Sequence, residues 1–433
     1  MHPADSHEDN RKLSFAQAFD PKKNAFGFLR LALAVLVIVG HCSRLGGFGD
    51  EQFVPGITGT RHSLGSLAIG MFFVLSGFLI SRSASGPLSV GRFLWHRFLR
   101  IFPGYWVCLL VSAFVFAPIA CAIEHGNFFD VFHSSANSAQ SYAIDNATMF
   151  HPRGFSMNSI MAVSSSHIAG LLGHNPTPWT MNGSLWTLPI ELLCYLGVAL
   201  LAALGIIRRA RIVVLVLFAL LCGIWEFDRV NPEACRHYFS FFGFDLLCTL
   251  CLYFLAGCVC FLYREKIPYS KALLVVSASL ASLSLVVSAL DFLTPIALPY
   301  AFLCLGFKLP VGRFDARGDF SYGTYIYAFP VQQGLALMGM QEGGFGLYLV
   351  CSLFVTAVLA LVSCRLVEAP SLRWKNLYLP QVLRTYFCRR YHWPIRRTVL
   401  DESLISPPLV VCDRSARLSY PRSKEQRISA LSP

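Results

Sequence analysis

The apolar run FGFLRLALAVLVIVGHCSRL contains two residues that can carry chemistry, Arg30 and His41. Ionisable side chains at membrane depth are costly to bury, which makes each a candidate for function. Eleven helical steps of about 100° come within about 20° of three full turns, so the two share one face, about 16 Å apart along the axis. Of the 12 histidines, His41 alone is embedded in an apolar run. An imidazole there can take a proton from a hydroxyl or carry an acyl group transiently. Arg30 reads equally well as a cation snorkelling to the interface, and His41 as a packed, hydrogen-bonded core residue.

Two further groups have the right types and spacing. Arg97 and Arg100, in GRFLWHRFLRIFPGYW, neighbour each other on a helix, where two guanidiniums make a clamp for phosphate oxygens. The bland alternative is ordinary positive charge in a cytoplasmic loop. Glu191, in NGSLWTLPIELLCYL, stands about 9 Å inside its apolar run. With Arg30 at the inner boundary, His41 lies about 14 Å from the outer boundary of a 30 Å core. The depths let the two meet if their helices are neighbours, and a carboxylate can fix the tautomer of an imidazole.

The elements that must position these groups are membrane spans. The chain has 433 residues, 55% of them hydrophobic and 14% charged, with mean hydropathy +0.54. Soluble proteins use about 25% charged residues, so disorder and a disulfide scaffold are excluded and an all-α polytopic membrane domain is indicated. Ten segments are apolar enough to be expected spans: 27–44, 64–81, 101–121, 184–206, 211–227, 243–262, 271–290, 292–309, 320–339 and 345–365. The net charge of +12 sits in short clusters between them and in the tail, a membrane pattern and not a nucleic-acid face. With the N-terminus inside, 31 of the 36 Lys and Arg fall on the inner side, so both termini are expected in the cytoplasm. The expected organisation is an N-terminal segment 1–25, a transmembrane domain 26–376 with a long outer loop 122–183, and a basic cytoplasmic tail 377–433. The first 25 residues are polar and mixed in charge, and no cleaved signal peptide is expected. Most of the 15 cysteines lie in apolar runs, where they act as small apolar residues, and no metal site is expected.

Taken in order, these pieces resemble the integral-membrane acyltransferase-3 family, the O-acyltransferases of bacterial surface glycans and nodulation factors. Arg30 and His41 match its R-x10-H signature, and GMFFVLSGFLI its second-helix motif, with Ser76 and Gly77 in place. Arg97 and Arg100 match its R-x-x-R, with Pro103 and Tyr105 following. SLWTLPIE resembles its W-S-L-x-x-E segment, with Trp186 present and Thr187 replacing the usual Ser. FSYGTYIYAFPVQQ, which contains Tyr322, and RLVEAP look like its closing motifs. One departure stands out: Ala328 occupies a position where the family often has His.

The resemblance covers residues from about 26 to 376. It implies transfer of an acyl group, usually acetyl, from cytoplasmic acyl-CoA to a sugar hydroxyl at the outer face of a bacterial inner membrane. It implies Arg97 and Arg100 on CoA phosphates, Arg30 on a donor phosphate or the pantetheine arm, and His41 as base or acyl carrier. Glu191 would orient His41 or position the sugar. The partners are then a glycan or lipid-linked sugar and membrane lipid, with no nucleic acid. A carrier for a lipid-linked sugar could use the same buried charges without covalent chemistry. It would be expected to show internal repeats, and none is visible.

Overall fold

The computed structural model describes residues 13–49, 62–86, 89–133, 138–149, 172–178, 180–239, 244–311, 314 and 318–376. They belong to one compact unit that ends at Asn376. Its regular structure is helical, apart from an isolated antiparallel bridge between Ser14 and Pro268. A short α1 (Phe15–Ala18) leads to α2 (Phe26–Leu45) and α3 (Leu64–Ser85). Then α4 (Val90–Val111) runs through a π-helical stretch, Ser112–Phe116, into α5 (Ala117–His125), and α6 (Ala139–Asn146) follows. The middle of the chain forms α7 (Thr187–Ala203), α8 (Ile206–Arg209), α9 (Ile212–Val230), α10 (Pro232–Phe239), α11 (Phe244–Leu262) and α12 (Lys271–Val286). The last helices are α13 (Thr294–Lys308), α14 (Ser321–Leu337), α15 (Phe345–Ser363) and α16 (Ala369–Arg373).

All ten expected segments fall on helices. Six continuous helical stretches are long and apolar enough to cross a membrane: Phe26–Leu45, Leu64–Ser85, Val90–His125, Gly183–Ala203, Ala289–Lys308 and Phe345–Asn376. Leu247–Leu262 and Lys271–Val286 are shorter apolar helices. Large apolar side chains on the outer faces of α9, α12 and α15, such as Leu220, Val275, Val350 and Phe354, are more than half exposed. In water such a surface would associate, and in lipid it is satisfied.

The third stretch differs from its expected bounds of 101–121. Ser89 caps it by accepting from the Arg92 amide, so the helix starts at Val90, and Arg97 and Arg100 lie on the helix and not in a preceding loop. Its π-stretch ends two residues before Pro118, and a second one, Cys364–Glu368, ends two residues before Pro370. A helical proline has no N–H and crowds the residue four back, and a widened turn accommodates that ring.

Small residues set the closest crossing in the bundle, between α3 and α11. A Cβ on Gly77 would run into the Phe254 carbonyl, and one on Gly257 into the Val74 carbonyl. Two backbones can meet this way only where both carry glycine. The N-terminal segment joins the bundle from Leu13 onward, ahead of the residue-26 boundary suggested by hydropathy. Phe15 donates its amide to Ile267 O at 2.9 Å, and its ring stacks on Tyr300 at 5.1 Å and meets Phe307 edge-on. The stretch 288–293, where Asp291 interrupts the apolar sequence, is a 3-10 turn, and Asp291 is buried on His62 Nε2 at 2.7 Å. The tail 377–433 and His167 lie outside the described residues, as does much of the long loop.

Candidate active site

Helices α2, α3, α4, α7 and α14 line a partly open cavity of about 130 Å³. Its wall on α3 runs from Ile69 to Ile80, about 16 Å of helix. Arg30, Arg97 and Arg100 line it, as do Ser76, Glu191, Tyr195, Tyr322 and Tyr325.

Gly77 turns its bare face to α11, and this directs the adjacent Ser76 at α7. There Ser76 Oγ donates to Glu191 Oε1 at 3.0 Å and lies 3.0 Å from the Tyr195 hydroxyl. Tyr195, four residues beyond Glu191 on the same helix, also donates to Oε1. Two hydroxyls thus converge on one carboxylate oxygen in the cavity wall.

The guanidiniums are arranged unequally. Arg30 reaches Asp319 Oδ2 at 3.1 Å, and Arg100 pairs with the same oxygen. The other oxygen, Oδ1, accepts from the Ser321 amide at 3.2 Å and the Ser321 hydroxyl at 2.5 Å, holding the start of α14. Burial alone would raise the Asp319 carboxyl, but Arg100 and Arg30 hold it well below the usual carboxylate range. Arg97 has no ion-pair partner among the described residues; its guanidinium lies 5.9 Å from the Phe93 and Tyr195 ring centroids. Tyr322 donates to Ile101 O at 2.7 Å, and the Arg100 guanidinium stands over its ring. Trp186 lies in the 3-10 turn Gly183–Trp186 leading into α7 and packs on the core without lining the cavity.

His41 stands apart from this cluster. It is four residues from the end of α2, closer to that end than the sequence depth suggested. Its ring meets Phe329 edge-on at 5.3 Å, and its Nδ1 is buried without a hydrogen-bond partner. The anticipated His41–Glu191 contact is not formed; Glu191 accepts instead from Ser76 and Tyr195, both at Oε1. Moreover α7 packs chiefly on α3, α4 and α11, whereas α2 packs on α3, α14 and α15. Phe329 follows Tyr325 by one turn of α14, so His41 lies just beyond the Tyr325 end of the cavity. At that end Tyr325 shares a hydrogen bond with Thr187 Oγ1 at 2.7 Å and meets the Phe72 ring. Above His41, Gln333 straps part of the long loop to α14: its Nε2 donates to Thr177 O and Thr180 O at 2.8 Å, and its Oε1 accepts from Asn175 at 2.8 Å.

Residues 23–365 match the family described as acyltransferase domain. The chain belongs to the acyltransferase-3 family. This acyltransferase is 30% identical to the O-acetyl transferase of Shigella phage Sf6 over 80% of its own length and 95% of that protein. It is 25% identical to nodulation protein 10 of Rhizobium leguminosarum bv. viciae, over 82% of this chain and 94% of that one. A shorter match, 33% identical over 92 residues, links it to the acyltransferase MdmB of Streptomyces mycarofaciens (21% of this chain, 24% of that one). No solved structure matches it significantly.

In this acyltransferase Ala328 is fully buried in a small apolar cluster with Ile38, Cys42 and Tyr348, so a methyl packs at the position where the resemblance anticipated an imidazole. Three residues of the site escaped sequence reasoning. Tyr195 could have been found from its four-residue spacing to Glu191. Asp319 lies just outside an apolar run and gave no depth signal. Glu368, buried and accepting from Ser363 at 3.1 Å, was seen only as part of RLVEAP. Among the described residues no three metal-ligating side chains cluster.

Proposed function

We propose that this membrane acyltransferase transfers an acyl group, acetyl in the first instance, from cytoplasmic acyl-CoA to a sugar hydroxyl of a surface or exported glycan. The observation that carries the reading is the cavity, with three guanidiniums on its wall and α2 running from it to His41. Of the three arginines, Arg97 lacks an ion-pair partner among the described residues, and its charge attracts a phosphate-bearing donor. Arg97, not ion-paired, meets the donor phosphates, while Arg30 and Arg100 hold the wall against Asp319. The pantetheine arm brings the thioester towards Ser76 and Glu191. His41 takes the proton of the acceptor hydroxyl, which enters past Phe329 beneath the Gln333-strapped loop. The acetyl group is suggested by the phage O-acetyl transferase, and the glycan by the family resemblance.

In this reading ten spans cross a bacterial inner membrane with both termini in the cytoplasm, which puts the arginine end of the cavity on the CoA side. The test is CoA release from acetyl-CoA by the purified chain, with and without a sugar acceptor, alongside mass spectra of surface glycans from cells with and without the protein. Acceptor-dependent CoA release and a lost acetyl mass are expected. Sugar binding with no thioester consumption would overturn the reading in favour of a carrier.

A further inference from the structure

Ser76 has the surroundings of a nucleophile. Its hydroxyl donates to Glu191 at 3.0 Å, inside the distance at which a carboxylate can take the proton. The base is in turn oriented by a third group, Tyr195, which donates to the same Oε1. All three line the cavity that holds the arginines, whereas His41 does not.

We infer that Ser76 is a covalent acyl carrier, taking the acyl group from the donor thioester with Glu191 as its base before the sugar hydroxyl receives it. This rests on the acyl-CoA reading above. In the first half, Ser76 Oγ attacks the thioester carbonyl carbon as Glu191 accepts the hydroxyl proton. The tetrahedral oxyanion forms in a cavity lined by three guanidiniums and collapses. The C–S bond breaks, and CoA leaves as thiolate, to be protonated by water at the cytoplasmic mouth. Glu191 keeps its proton while the ester stands. In the second half, His41 accepts the proton of the acceptor hydroxyl, whose oxygen attacks the ester carbonyl. The C–Oγ bond breaks, Glu191 returns its proton to Oγ, and His41 releases its own to the outer solvent. The sum is thioester plus alcohol giving ester plus CoA thiol, with one proton taken up at the cytoplasmic mouth, one released outside, and no redox change.

Tyr195 is a positioning residue here, because its hydroxyl acts through Glu191.

The test uses the full-length purified protein with radiolabelled acetyl-CoA and no acceptor, quenched in acid and mapped by peptide. Wild type should carry label on Ser76, and Ser76→Ala should lose the label and at least 100-fold of turnover with unchanged melting. Ser76→Cys should carry the label as a thioester, distinguished by its release in neutral hydroxylamine. Glu191→Gln should slow labelling at least tenfold, and Tyr195→Phe should still label Ser76. Turnover in Ser76→Ala within threefold of wild type overturns the inference, as does label on Tyr195 or His41 instead. Absence of label at position 76 in both wild type and Ser76→Cys also overturns it. Those outcomes leave the acyl-CoA reading intact. That reading fails separately if wild type consumes no thioester even with acceptor present.

Discussion

Arg30 on α2 and Arg100 on α4 are held by a single oxygen, Asp319 Oδ2, and so two arginines of the family signature share one counter-ion. Oδ1 of the same carboxylate anchors the first turn of α14. Asp319 therefore ties three helices of the cavity together. Removing it would leave two neighbouring guanidiniums repelling each other and an α14 start without its acceptor.

Asp319→Ala should destabilise the protein by about 2–3 kcal/mol, less than a fully buried pair because about a fifth of each side chain is exposed. Its carboxyl is held below the ordinary value in the folded state, so its stabilisation is complete above the unfolded value of about 3.9. It is lost as pH falls through the folded value. The melting gap between wild type and Asp319→Asn should thus be constant from about pH 5 to 8 and narrow below about pH 4. A gap that instead widens on acidification would contradict this assignment.

Arg97 and Arg100 should separate in kinetics. Arg97→Ala removes a cation without an ion-pair partner, so the donor KM should rise tenfold or more, about 1.5–3 kcal/mol for charge-assisted bonds, with melting unchanged. Arg100→Ala breaks the Asp319 cluster and should lower melting as well. Equal effects of the two substitutions on KM and melting would return the pair to a single clamp.

The sequence carried the helices and most of the site, because apolar length and isolated charges are local signals. The helical period was legible too, and it put Arg30 and His41 on one face, turned to Asp319 and to Phe329. Partner choice between helices was not legible. Glu191 and His41 had compatible depths, yet α7 faces α3 and α4, so the carboxylate met Ser76. Asp319 was hidden for a different reason: it sits one residue outside the apolar run, where a carboxylate costs little and attracts no notice. The third helix starts before its apolar run, at Val90, because Arg92, Arg97 and Arg100 depress local hydropathy in a stretch that is nonetheless continuous helix.

Gly77 should tolerate no side chain. Gly77→Ala would press a methyl into the Phe254 carbonyl, a backbone atom that cannot rotate away. Overpacking of this kind costs about 1–3 kcal/mol. Melting should drop accordingly and turnover with it, since the α3–α11 crossing sets the direction of Ser76. Gly257→Ala should behave alike, because it meets the Val74 carbonyl from the other side. Normal melting in both variants would show that the crossing is looser than described.

His41 is the prediction on which the chemistry turns. A sugar hydroxyl is a poor nucleophile at neutral pH, and general-base assistance typically contributes about 10²–10⁴-fold. His41 Nδ1 is buried without a hydrogen-bond partner, an arrangement that a purely structural histidine would be expected to avoid. Because His41 does not line the cavity, His41→Ala should bind acyl-CoA with unchanged affinity. Transfer to the acceptor should nevertheless fall by at least about 100-fold. Donor binding by calorimetry and acceptor acylation by mass spectrometry, on the same preparation, separate the two effects. If more than about a tenth of wild-type transfer survives, below the usual loss for a general base, His41 is a core residue packed on Phe329. The base would then be sought in the long loop, beginning with His174, whose Nδ1 is already paired with Glu124.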